Sequence, residues 1–144
     1  QAEAGLPEAK WLAALEKGGA QAVAAWLDGG GGVDARCAER KGATLLMAAA
    51  SGGQEAVMRM LLQRGASVSL QNSLGSTALM GAAVNGHTAT VQALLDAKAD
   101  ASLQTTTGGT ALTWAEDQRH TATAQLLRQH AEQQMEGEVE VRVT

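Results

Sequence analysis

Short patterns of apolar and polar positions predict pairs of helices along most of the chain. In the clearest example, Thr77 precedes seven small or apolar residues, and the pair Asn85–Gly86 then interrupts the pattern. Thr is a favoured N-cap residue and Gly a favoured helix stop, so a helix is predicted between them. A second helix is predicted over about residues 87–97, where Val91 and Leu94 stand at helical spacing. Two helices of about 10 residues are marginal alone, so each pair needs a packed neighbour.

The same helix-pair pattern returns with a period of 33 residues. A fainter copy lies upstream, over residues 11–35, at a spacing of 35 residues, and the two extra residues fall in a connector. A period of this length is typical of repeat proteins, in which stacked units bury a continuous core. The columns that share the period are Gly42, Gly75 and Gly108; Thr44, Thr77 and Thr110; Leu46, Leu79 and Leu112; Ala49, Ala82 and Ala115; and Leu61, Leu94 and Leu127.

On these columns, and on the Gly-x-Thr-x-Leu start of each unit, the chain resembles the ankyrin-repeat family, whose unit has 33 residues and a T-P-L-H-x-A signature. The resemblance implies an all-α fold, a solenoid of stacked helix-turn-helix units with projecting finger loops. The implied ankyrin-repeat domain is residues 1–131, with a degenerate N-terminal cap at about 8–38, internal units at about 39–71 and 72–104, and a C-terminal cap at about 105–131.

Departures from the family signature predict local losses of stability. The signature's Pro is absent from every unit, and its His is replaced by Met47, Met80 and Thr113. Loss of Pro removes a preset backbone angle, and Met can replace the packing of His but loses its hydrogen bonds. Lys98 stands where the preceding unit has Gly65, so about 1 kcal/mol of backbone strain is expected if φ is positive there. We expect the fold to survive these changes.

Composition and charge narrow the functional classes. Hydrophobic residues make up 45%, yet 30 residues are Ala, and Phe and Tyr are absent, which favours close-packed helices over a β-sandwich. Trp11, Trp26 and Trp114 are expected to anchor the cores of the two caps. The single Cys37 excludes an intramolecular disulfide and a cysteine-based zinc site. A net charge of −4 gives no general attraction to nucleic acid, and no apolar run approaches the roughly 20 residues that span a bilayer.

No group of residues indicates catalysis, a metal or a cofactor. His87 is expected to bond to local backbone, and the cluster of Glu116, Asp117 and His120 is expected to form a solvated capping surface. Cys37 lies in a finger loop beside two arginines, a setting that favours a lowered pKa, but without a local His it is expected to be an incidental exposed thiol. We therefore predict a non-enzyme with no catalytic residues, no metal site and no cofactor.

The resemblance also implies where a partner binds, because ankyrin-like proteins use their fingertips and the concave side of their first helices. The implied surface changes from basic, through apolar, to a Thr-rich and mildly acidic end, which indicates a protein partner of mixed polarity. The implied protein-binding residues are Arg40, Lys41, Ser51, Ser73, Leu74, Ser76, Val84, Asn85, Thr106, Thr107, Asp117 and Gln118.

The sequence is therefore interpreted as a non-catalytic protein-interaction module, a scaffold or adaptor. Two alternatives stay open: a structural or accessory subunit of a larger multiprotein assembly, and a regulatory fragment of an enzyme. Neither nucleic acid nor direct membrane insertion is predicted. The expected compartment is the cytoplasm, or an organelle interior after removal of a targeting peptide, because residue 1 is Gln rather than Met.

Residues 132–144 form an acidic tail with a different pattern. Its last part, residues 138–144, reads EVEVRVT, and the two-residue alternation predicts a β-strand. A lone strand is not stable in water. We therefore expect either a frayed terminus, the stub of a further domain, or a strand that adds to the edge of a partner's sheet through Val139, Val141 and Val143.

Overall fold

Stacked pairs of short helices form the fold in the computed structural model, which describes residues 5–143 and the side chains of residues 5–137. Among these residues the regular structure is helical, apart from one isolated β-bridge between Cys37 and Ala43. The predicted all-α solenoid is confirmed. The helices of the described part are α1 Glu8–Leu15, α2 Ala20–Asp28, α3 Leu45–Ser51, α4 Glu55–Gln63, α5 Ala78–Val84, α6 Thr88–Asp96, α7 Ala111–Asp117 and α8 Thr121–Val143, with a 3₁₀ turn at Ala38–Arg40.

The core lies between the first helices of successive pairs. Helix α1 packs on α3, α3 on α5 and α5 on α7, so the first helices form one continuous layer. Small side chains allow this close approach, and the alanines Ala48–Ala50 of α3 have no exposed surface. Leu61 of α4 and Leu94 of α6, also without exposed surface, fill the space beneath this layer. Each unit thus needs its neighbour to bury its apolar side chains.

A threonine begins the first helix of each of the three later pairs. The Oγ1 of Thr77 accepts the backbone N–H of Met80 at 3.2 Å, which confirms the predicted N-cap. Thr44 and Thr110 cap α3 and α7 in the same way. In α3 the sulfur of Met47 also accepts the N–H of Thr44 at 3.4 Å. Methionine therefore recovers one weak hydrogen bond at a position where the sequence predicted only packing.

Three non-glycine residues of the described part have left-handed backbones. Lys98 has a φ of 72°, and Gly65, at the same position of the preceding unit, has a φ of 90°. The backbone strain expected at Lys98 is therefore present. Arg119, with a φ of 61°, occupies the column in which Gly86 has a φ of 71°. Lys41 has a φ of 59° in the first finger. The N–H groups of Lys98 and Arg119 bond to carbonyls three residues back, so both residues close helix ends.

The tail departs from its prediction. Helix α8 continues to Val143, so a β-strand over residues 138–144 is wrong for 138–143, and Thr144 lies outside the described residues. Residues 132–143 of the tail predicted as a separate segment are likewise a continuation of α8. Each residue added to an existing helix gains its own backbone hydrogen bond, whereas a strand needs a neighbour that the described residues do not supply. The predicted contacts of Val139, Val141 and Val143 lie outside the described side chains.

Cys37 also departs from its prediction, because its side chain has no exposed surface. Its N–H donates to the carbonyl of Ala43 at 2.8 Å, and this bridge points Cys37 inward while Arg36 and Ala38 face solvent. Burial raises the pKa of the thiol, and the nearby Glu39 carboxylate raises it further. The two neighbouring arginines therefore do not make Cys37 an exposed, activated thiol.

Candidate functional site

A groove of about 520 Å³ lies between the layer of first helices and the finger loops. Met47 of α3 and Met80 and Val84 of α5 contribute apolar side chains, and Trp11 of α1 and Trp114 of α7 flank them. Both methionines stand in the first turn of their helices, where side chains lean toward the N-terminus and hence toward the fingers. Met47 and Met80 are only 6% and 4% exposed, so each offers the groove a small apolar surface while most of its side chain belongs to the core.

Polar groups line the finger side of the groove. Ser51, Asn72 and Ser76 lie beside the methionines, and the first finger contributes Glu39, Arg40 and Lys41. Glu39 and Lys41 are exposed, whereas Arg40 is half-buried. The groove thus offers a partly apolar lining with charges of both signs on one side.

Arg40 is held by its neighbours. Its guanidinium carbon stands 4.8 Å from the ring centroid of Trp11, and its Nη2 lies 3.6 Å from a carboxylate oxygen of Glu8. The Arg40 Nε and the Trp11 Nε1 are buried without a hydrogen-bond partner among the described residues. Arg40 is therefore a partly exposed residue held against α1, and its side chain lines the groove.

The second finger has a fixed backbone. The Oδ1 of Asn72 accepts the N–H of Leu74 at 2.9 Å and that of Ser76 at 3.0 Å. Leu74 at the tip is 50% exposed, although it is apolar. A rigid loop loses little conformational entropy on binding, so this fingertip is already arranged for contact.

The structure divides the implied protein-binding residues into three sets. The first set lines the groove, the second forms the exposed fingertips, and the third lies outside the groove at the ends of α5 and α7. Asn85 of the third set donates its amide to the carbonyls of Ser51 and Gly81, each at 3.1 Å, and so joins two units. The groove residues are Arg40, Lys41, Ser51, Ser76 and Val84. The fingertip residues are Ser73, Leu74, Thr106 and Thr107, and the residues outside the groove are Asn85, Asp117 and Gln118.

Sequence reasoning missed several groove residues. Met47 and Met80 occupy the column of the signature's His, and this substitution was the signal that could have found them. Trp11 and Trp114 are half-buried and pack against the core, as does Trp26, but the first two also line the groove. Their prediction as core anchors alone was therefore incomplete.

Two histidines connect units. His87 Nε2 lies 3.0 Å from the carbonyl oxygen of Ser51, and His120 Nε2 lies 3.1 Å from that of Val84. His87 thus bonds to backbone, as expected, but to that of the preceding unit rather than to local backbone. A solvated His120 is wrong, because its ring is half-buried against the preceding unit; only its neighbours Glu116 and Asp117 are exposed. No three metal-ligating side chains converge in residues 5–137.

Comparison with known proteins identifies the family. A family model for ankyrin repeats (3 copies) matches residues 11–105 and, in a second match, residues 64–137. The chain belongs to the ankyrin-repeat family. Ankyrin repeats are generally protein–protein interaction modules, and their fold is typically non-catalytic. No curated protein sequence matches the chain. Within the described part of this ankyrin-repeat chain, no helix is long and apolar enough to cross a membrane.

Proposed function

We propose that this ankyrin-repeat chain is a non-catalytic adaptor that binds a protein partner in the groove and at the adjoining fingertips. The groove carries this proposal, because Met47, Met80 and Val84 line it. The exposed Leu74 stands on the second finger, whose Asn72 and Ser76 also line the groove. An apolar fingertip beside a partly apolar groove is typical of a contact surface.

The charges of the groove support a preference within the partner. Lys41 is exposed, and Arg40 adds a partly exposed guanidinium from the same finger. Glu39 of this finger also lines the groove, and Arg40 is paired with Glu8, so a partner segment that places an apolar residue over Val84 and a carboxylate beside Lys41 fits the groove best. Opposite charges close to the groove accelerate association and set the orientation of the partner.

Affinity capture from the native source, followed by mass spectrometry, tests the proposal. Wild type is compared with Leu74→Asp, at the exposed fingertip, and with Ala56→Asp, a matched control on the exposed surface of α4. We expect one set of proteins to be captured by wild type and Ala56→Asp and lost with Leu74→Asp. Equal capture by all three would contradict binding at the fingertips.

A second candidate function, a subunit of a larger assembly, is supported by α8. Residues 131–137 of this helix are exposed along their whole length, and Met135 is 66% exposed. Size-exclusion chromatography at native concentration distinguishes the two candidates. Elution near the mass of one chain supports the free adaptor, and stable elution with a large complex supports the subunit.

A further inference from the structure

Two series of hydrogen bonds connect each finger loop to the next. In the first, the Arg36 side chain donates to the carbonyl of Gln71 at 2.9 Å, and the Gln71 side chain donates to the carbonyl of Gln104 at 3.1 Å. In the second, the N–H of Ser73 donates to the carbonyl of Lys41 at 2.9 Å.

The second series repeats one unit later, because the N–H of Thr106 donates to the carbonyl of Leu74 at 3.0 Å. Each added finger thus presents the same pair of groups to the finger before it. The pair is a carbonyl at one residue, Gln71 or Gln104, and an N–H two residues later, at Ser73 or Thr106. This pairing uses main-chain groups of the incoming finger, so it does not depend on that finger's side chains.

The two ends of the finger array differ. At the N-terminal end, the carbonyl of Arg36 accepts the N–H of Leu6 at 3.0 Å, and Leu6 is only 2% exposed. At the C-terminal end, neither series continues from Gln104 or Thr107 within the described residues, and both side chains are exposed. The array is therefore closed at its first finger and open at its last.

The course of α8 explains the open end. The preceding second helix, α6, ends at Asp96, and the chain then turns back to form the third finger. One repeat later α8 continues to Val143 instead, so the described residues form no fourth finger. A cavity of about 660 Å³ lies where α8 runs beside the third loop, between Leu95 and Ala101 on one side and Ala131 on the other.

We propose that this open edge binds an extended segment of a partner protein, which adds to the array as a fourth finger. The segment presents one carbonyl to the Gln104 side chain and, two residues later, one N–H to the carbonyl of Thr107. Leu70 and Leu103, each directly before the glutamine of its finger, pack against the core. The segment therefore carries an apolar residue directly before the accepting carbonyl. The edge is separate from the groove lined by Met47 and Met80, so binding at one surface can be disproved without affecting the proposal for the other.

The probe for this edge is a synthetic peptide of residues 66–76 of the chain itself, ASVSLQNSLGS, which contains Leu70, the carbonyl of Gln71 and the N–H of Ser73. The isotope-labelled full chain is titrated with millimolar peptide and followed by NMR. A control peptide is methylated on the backbone nitrogen of Ser73, which removes the donor intended for Thr107 and puts a methyl group in its place. Gln104→Ala removes the donor on the protein, and Gln125→Ala is a matched control on the exposed surface of α8.

We expect the amide shifts to change over about residues 98–108 and to stay unchanged in the first finger, residues 37–43. Methylation of the peptide and Gln104→Ala should each weaken binding about fivefold, the factor expected for one net hydrogen bond, while Gln125→Ala should not. Unchanged shifts over residues 98–108, or equal binding of the methylated peptide, would overturn the proposal. Neither result bears on the proposed adaptor function, for which Leu74→Asp tests the second fingertip.

Discussion

The imidazole Nε2 of His87 lies 3.0 Å from the carbonyl oxygen of Ser51, the last residue of α3. That carbonyl is one of those at a helix end that have no partner within the helix. Since a carbonyl only accepts, Nε2 carries the proton. Gly53 makes room for the ring, because a Cβ there would stand 2.8 Å from Nδ1. His87 thus joins the second and third units through backbone rather than through a ligand.

Replacing His87 with Ala should lower the free energy of unfolding by about 1 kcal/mol, because Ser51 loses a donor. His87→Gln should lose less, since Gln54 one repeat earlier donates its amide to the carbonyls of Leu15 at 3.4 Å and Gly52 at 3.0 Å. Urea denaturation of both variants measures the difference. Equal losses would show that the ring's packing matters rather than its hydrogen bond.

Two leucines at different depths test the stacking of the units. Leu94 has no exposed surface, so Leu94→Ala should cost about 2–4 kcal/mol and lower the melting temperature of the whole stack. Leu74 is 50% exposed, so Leu74→Ala should change stability by less than about 0.5 kcal/mol. Thermal melting followed by circular dichroism compares them. A small effect of Leu94→Ala would mean that the helix register is wrong.

Glycine should stabilise the chain at two of its strained positions. Lys98 and Arg119 have positive φ in columns where Gly65 and Gly86 have it too. Lys98→Gly and Arg119→Gly should each raise the free energy of unfolding by about 0.5–1 kcal/mol, because glycine adopts this backbone without a steric clash. Gly65→Ala is the reverse change and should be destabilising. Denaturant titration of the three variants shows whether each change raises or lowers the free energy of unfolding. A loss of stability in both glycine variants would show that Lys98 and Arg119 are not strained.

The repeat made the stacking predictable from sequence, because the same columns recur at a fixed period. A cap such as Thr77 and a strained position such as Lys98 could be predicted because each depends on the local backbone alone. The burial of Cys37 could not, since it depends on a bridge to Ala43 that turns one side chain of the finger inward. The location of Met47 and Met80 in a groove could not be predicted either, because the groove forms only where helices and fingers of successive units stack.

The tail shows a different limit of prediction from sequence patterns. The alternation of apolar and polar residues in 138–143 is a strand pattern, but such a pattern acts only where another strand can pair with it. Here the segment follows an established helix, and continuation of α8 satisfies its backbone. Periodicity alone did not reveal which of these two structures the chain adopts.

The pH dependence of stability should report the buried Cys37. Burial raises the pKa of its thiol, so the folded chain keeps the proton to higher pH than the unfolded chain does. The corresponding stability is fully present below the unfolded pKa of about 8.5 and is lost as the pH rises above it through the folded pKa. Unfolding free energies of wild type should therefore fall more steeply above about pH 8.5 than those of Cys37→Ala. Parallel curves would contradict the raised pKa.

The central claim is tested most directly by measuring how tightly a purified, captured partner binds finger variants and control variants of the chain. Leu74→Asp and Lys41→Glu change exposed finger residues, and Ala56→Asp and Lys17→Glu make the same charge changes at exposed positions away from the groove. Calorimetric titration should show at least about fivefold weaker binding for the first pair and unchanged binding for the controls. Unchanged binding of the finger variants, together with weaker binding of Ala56→Asp, would place the partner on the second helices and contradict the groove.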